Sequence, residues 1–272
     1  MVAKARTFFH EVTEAVNHFR QYGFKSRVEL NEWVSRLRRS ALLQLKTPAE
    51  TERMLKDALL TKYQGMVKPG GTIQQSMPSI TRMSIDRVKP KLRRELDRRI
   101  MASANLIRLN REEAIDKTLR RFQGWATSVS PGGSRAVDVK DEKNDIRKAL
   151  VQLDFIERRV IIDQTHKLVA TVNNIVAVDN GALAFEWHSP WRRPGYDFRE
   201  DHKERDLKLY TIRGNWAMEK GLMKAGPAGY YDEITHVGEE PFCSCTGKYV
   251  FALRKLPPDM LTKAGMFALP QM

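Results

Sequence analysis

Val176-Ala177-Val178-Asp179-Asn180-Gly181-Ala182-Leu183-Ala184-Phe185-Glu186-Trp187 is the stretch on which the fold class turns. Asn-Gly is a turn dipeptide, because both residues tolerate a positive φ. Ala182 to Trp187 then reads as a strand from its apolar and aromatic content. From Asp141 to about Val178 the pattern reads as a helix, with a strand left open in its Val- and Ile-rich later part. A chain that passes here from long helices to short strands is α+β: a mainly helical N-terminal region, then a smaller mixed α/β C-terminal domain.

Upstream, Phe8, Val12, Ala15, Val16 and Phe19 recur at steps of three and four, and Gly23 stands where such a helix would stop. Ser26 can cap a second helix with the stripe Leu30, Trp33, Val34, Leu37, Ala41 and Leu45. Thr47-Pro48-Ala49-Glu50 supplies a cap, an N1 proline and an acidic first turn for a third. Lys68-Pro69-Gly70-Gly71 breaks it, and a loop is expected to Ser79. A second helical block runs from about Ser84 to Ser128, with a bend expected near Pro90. Ser130-Pro131-Gly132-Gly133-Ser134 is the clearest linker, so the expected division is a basic helical region at 1–130, a linker at 131–137 and an α/β domain at 138–272. Downstream of the turn, Lys248 to Leu256 is a second strand candidate, closed by Pro257-Pro258.

The charge is lopsided: 47 Lys and Arg against 33 Asp and Glu leave +14 over 272 residues, which favours polyanionic partners. No apolar run approaches bilayer length, and Glu11 and Glu14 interrupt any signal-peptide core, so neither a membrane span nor ordinary secretion is expected. The two cysteines, Cys243 and Cys245, are too close for an unstrained mutual disulfide and read as free thiols or metal ligands in a reducing compartment. The cations Lys89, Lys91, Arg93, Arg94, Arg98 and Arg99, with Arg120 and Arg121 further on, are the candidate polyanion-binding residues. Glu95 and Asp97 among them support the alternative of an exposed face laced with ion pairs.

P-loop, dinucleotide, nucleophile-elbow and zinc-protease motifs are all missing from the sequence, which removes several large enzyme classes. What stands out is a C-terminal constellation: Trp187-His188, Asp197-Phe198-Arg199-Glu200-Asp201-His202, His236 and Pro241-Phe242-Cys243-Ser244-Cys245. Thiolates and imidazoles suit tetrahedral zinc, so Cys243, Cys245 and His202, with His236 or His188, are candidate ligands; small buried thiols beside a hydrogen-bonded imidazole are the alternative. No other cofactor is expected. Arg199 and His202, three apart, form the alternative catalytic pair, a cation and an imidazole suited to phosphate chemistry without a metal.

In order and spacing, Trp-His on a strand, Asp-x-Arg-x-x-His, a Gly- and Pro-containing stretch and Cys-x-Cys before a second strand resemble the C-terminal domain of the phage Mu F-like minor head proteins. The resemblance covers roughly residues 182–256. Ser244 stands where the family usually has a basic residue, and Lys208 to Gly226 is longer than its counterpart. The resemblance implies a non-enzymatic virion component of a tailed bacteriophage, acting in head morphogenesis or DNA ejection. It would sit in the capsid interior or at the portal vertex, after assembly in the host cytoplasm. Its implied partners are the portal or major capsid protein and, through phosphate contacts, nucleic acid. An enzyme acting on nucleic acid, metal-independent or zinc-stabilised, and a host DNA-binding protein are the alternatives.

Overall fold

The computed structural model describes residues 7–132 and 140–269. It is 66% helix with one three-stranded antiparallel sheet, so the expected mainly helical α+β class holds. Two compact units interleave in sequence. The first takes the described residues up to Leu55 together with Ala102–Val160; the second takes Lys56–Met101 and the described residues from Ile161 onward. This partition differs from a division at 131–137, because three long helices each supply residues to both units. Of the expected linker, Pro131 and Gly132 form a turn, and the remainder lies outside the described residues.

In the first unit, α1 (Phe8–Tyr22) is capped by Thr7 and ends at Gly23, whose φ of 69° lets its N–H return to Phe19 O at 2.8 Å. Ser26 caps α2 (Arg27–Gln44) through Glu29 N at 3.2 Å. Before α3 (Pro48–Val67), Glu50 N donates to Thr47 Oγ1 at 3.2 Å and Thr47 N donates to Glu50 Oε2 at 2.8 Å, a reciprocal capping box. The α1 stripe Phe8, Val12, Val16 and Phe19 is fully buried against Leu37 and Ala41 of α2. Leu119 and Phe122 of α5 (Arg82–Ser128) and Ile146 of α6 (Lys140–Val151) complete this core.

The second unit begins with the latter part of α3. In the stretch expected to be a loop, α4 (Thr72–Ser76) forms, pinned by the fully buried Ile73. Pro90 lies inside α5, which runs on as one helix. The Val- and Ile-rich tract stays helical as α7 (Leu153–Asp179): Leu168, Val172 and Val176 are four apart and fully buried on one face, so helical periodicity outweighs β-propensity. Asn180-Gly181 then turns the chain, with Gly181 at φ 77°.

The strands β1 (Ala184–His188), β2 (Leu209–Thr211) and β3 (Thr246–Val250) form a sheet in the order β2-β1-β3. The expected Lys248 to Leu256 strand is thus found two residues earlier and ends at Val250. The central β1 pairs Phe185 with Tyr210 on one side and with Tyr249 on the other. β3 lies so close to β1 that a Cβ on Gly247 would overlap the Phe185 ring and the Glu186 carbonyl. Among the described residues no helix is long and apolar enough to cross a membrane.

Candidate metal centre

Strand alternation on β1 sends Trp187 into the core and His188 to the other face. The short helix α8 (Glu200–Glu204) presents His202 to the same core, 2% exposed. Just ahead of β3, Pro241-Phe242 turns the chain, with Phe242 in the left-handed region at φ 57°, and delivers Cys243 and Cys245, 2% and 3% exposed. Phe242 N donates to Asp163 Oδ1 at 2.6 Å and Ser244 N to the Tyr196 hydroxyl at 3.2 Å, which hold this turn.

The result is one cluster. His202 Nδ1 lies 3.7 Å from Cys243 Sγ and 3.5 Å from Cys245 Sγ, and these atoms together form a group that could hold a metal ion. Around a tetrahedral zinc, with Zn–N near 2.0–2.1 Å and Zn–S near 2.3 Å, a nitrogen and a sulfur stand about 3.6 Å apart. The observed separations fit that edge.

The two sulfurs share one proton. A hydrogen bond from the Cys245 thiol brings the Cys243 thiol down to about 5 against the opposing effect of burial, helped by the backbone N–H groups of Gly238 and Cys245. Cys245, holding the shared proton and also buried, is pushed well up. The Ser189 hydroxyl and the Trp187 indole N–H beside it act against that rise. Among the described residues neither the Ser189 hydroxyl nor the Trp187 N–H makes a hydrogen bond, and the Cys243 sulfur is the one poised as thiolate, the form that binds metal.

On the other side of the imidazole, Nε2 is buried without a hydrogen-bond partner, 3.7 Å from Glu240 Oε2 and 3.9 Å from Asp201 Oδ2. Nδ1 faces the sulfurs, and the two carboxylates stand behind the ring beyond hydrogen-bond reach. The Trp187 ring packs edge-on against His202 with centroids 5.3 Å apart.

The other expected ligands lie elsewhere. His188 Nε2 meets Glu186 Oε1 at 2.6 Å, and the His236 ring stacks on Tyr231 at 4.2 Å. Neither supplies an atom to the cluster, so among the described residues it has three protein ligands. The alternative catalytic pair, Arg199 and His202, meets at the Glu240 carboxylate. Arg199 precedes α8 as its N-cap and spends its guanidinium on Glu240 Oε2 at 2.6 Å and Pro241 O at 2.9 Å, while His202 is sealed from solvent.

The cations of the basic helix face are laced with carboxylates, several of which serve two cations at once. Lys89 pairs with Asp86 at 2.6 Å, Lys91 with Asp179 at 2.8 Å and Arg93 with Asp97 at 3.0 Å. Arg98 and Arg99 share Glu95 at 2.7 and 2.9 Å. Arg121 lies 3.7 Å from Asp145. Arg94 and Arg120 are exposed and make none of the described ion pairs. Sequence reading missed Glu240 and Asp163; the acidic pair Glu239-Glu240 directly before Pro241-Phe242-Cys243 was the available signal.

Comparison of the chain with family models, curated proteins and solved structures finds no match.

Proposed function

We propose that this chain is a structural minor head protein of a tailed bacteriophage, whose C-terminal module is stapled by zinc on His202, Cys243 and Cys245. The observation that carries the reading is the convergence of these three residues, which belong to the Mu F-like constellation and lie at the spacing of tetrahedral zinc. When bound, zinc supplies a cross-link. The chain's own residues do the rest: Cys243 and Cys245 offer sulfur, His202 offers Nδ1, and the carboxylates of Glu240 and Asp201 add negative charge behind the ring, 3.7 and 3.9 Å from Nε2. A short sheet with many loops has little core of its own and gains from such a staple.

The role requires no catalysis. Its partners are the portal or major capsid protein and the phosphates of packaged DNA, in line with the net charge of +14. Two measurements test the reading. The purified chain is expected to carry one zinc and to lose thermal stability on chelation; a metal-free chain with unchanged melting would remove the zinc. Virions of the phage that encodes the chain are expected to contain it in a few copies by quantitative mass spectrometry, and its absence from them would remove the head-protein role.

A further inference from the structure

The loop between β1 and α8 carries Ser189-Pro190-Trp191-Arg192-Arg193-Pro194 and ends at Phe198. Asp206 fixes its conformation: Oδ2 accepts the Trp191 indole N–H at 2.8 Å and Oδ1 accepts Ser189 N at 2.9 Å. The indole, half-buried and held in place, has Phe198 at its edge with centroids 6.4 Å apart. Two cations stand over these rings. The Arg192 guanidinium lies 4.7 Å from the Trp191 centroid, and Lys203 Nζ lies 5.5 Å from Trp191 and 5.3 Å from Phe198. Lys203 also meets Glu200 at 3.2 Å. Arg192 and Arg193 are exposed and make none of the described close ion pairs, though Arg192 acts through space on the Asp206 carboxylate. Most of the α5 cations, by contrast, have a carboxylate beside them.

We propose that this loop is a binding surface for single-stranded nucleic acid, with Trp191 and Phe198 receiving bases and Arg192, Arg193 and Lys203 receiving phosphates. Arg192 and Lys203 lie over the ring faces in the free chain; on binding they would swing to the phosphates and leave those faces to the bases. Rigid aromatic rings beside cations are what sequence-tolerant binding of single strands requires, since every base offers a π-face and every nucleotide a charge. A duplex buries its base faces and would engage only the cations. The surface is distinct from the zinc cluster and does not depend on the head-protein reading.

The test uses the full chain and fluorescence anisotropy of a labelled oligothymidylate, an abasic oligomer of equal length and charge, and a duplex. Wild type is expected to bind the oligothymidylate about fivefold or more tightly than the abasic strand, the scale of one stacked base. Trp191→Ala is expected to erase that difference and Trp191→Phe to retain most of it. Arg192→Ala with Arg193→Ala is expected to weaken both strands and flatten the salt dependence. Should Trp191→Ala fail to fold by thermal melting, the wild-type comparison of the two strands decides alone. Equal binding of thymidylate and abasic strands, preference for duplex, or no binding overturns the proposal.

Discussion

Arg111 and Glu157 form a two-pronged ion pair, Nε to Oε1 at 2.6 Å and Nη2 to Oε2 at 3.1 Å, with side chains only 10% and 6% exposed. Nη1 donates to Lys46 O and Thr51 Oγ1, each at 2.8 Å, so this one guanidinium ties together α5, α7 and the start of α3 within the first unit. Glu157→Ala strands a buried cation and is expected to cost about 3–5 kcal/mol in denaturant unfolding. Arg111→Met combined with Glu157→Leu is expected to recover most of that loss. A cost below about 1 kcal/mol for Glu157→Ala would contradict this account.

Glu240 is expected to act on the metal without touching it. Glu240→Gln keeps the shape but removes the negative charge 3.7 Å from His202 Nε2, and zinc affinity is expected to fall, read by competition with a chromophoric chelator. Cys243→Ala is expected to abolish stoichiometric binding, while Ser244→Ala leaves it intact. Unchanged affinity in Glu240→Gln would separate the carboxylate from the centre.

Asp179, at the end of α7, accepts from Lys91 Nζ at 2.8 Å and Arg87 Nη2 at 3.0 Å. The Lys91 hydrogen bond, with Arg87 adding to it against partial burial, holds the Asp179 carboxyl below its usual range. A carboxyl lowered on folding stabilises the fold above its unfolded value, near pH 4, and that contribution is lost as pH falls through the lower folded value. Melting temperature measured between pH 7 and pH 3 is expected to fall less steeply in Asp179→Asn than in wild type. Parallel curves for the two proteins would rule this out.

Gly247→Ala tests the sheet. Because the added methyl meets the Phe185 ring and the Glu186 carbonyl, β3 must move off β1, and a loss of at least about 1–3 kcal/mol is expected in thermal or denaturant melting. Full stability in this variant would mean that the two strands pair less closely than described.

Much of this architecture is legible in the sequence where the determinants are local. The Phe8 to Phe19 stripe with its stop at Gly23, the Ser26 cap and the Thr47–Glu50 box are all encoded within one or two turns. β2 was invisible because three residues, Leu209–Thr211, carry no pattern of their own and become a strand only by pairing with β1. Within the candidate site, His202, Cys243 and Cys245 stand out as residue types and do come together. The displacement of His188 follows from strand alternation, and that of His236 from its stack on Tyr231; neither can be read from spacing alone. In the arginine-rich part of α5 the partners Glu95 and Asp97 can be read from spacing, whereas Asp179, which takes up Lys91, is distant in sequence.

A cut introduced at residues 131–137 is expected to nick the chain without dividing it, because the first unit needs both its stretch up to Leu55 and Ala102–Val160. The two fragments are expected to elute together from a sizing column under native conditions. Separation into two independently folded pieces at that point would restore the simpler partition.

The interleaving of the units also sets an order of events on the ribosome. The first unit has all its residues once Val160 has emerged, whereas Lys56–Met101 must wait for the chain beyond Ile161 before its unit can close. At about 5–20 residues per second the stretch from Met101 to Ile161 alone takes about 3–12 s, during which Leu59, Met66, Ile73, Ile85 and Leu92 have none of the later-made residues that bury them. Nascent chains stalled before Ile161 are therefore expected to engage general chaperones through this segment, and chains released in full are expected to shed them.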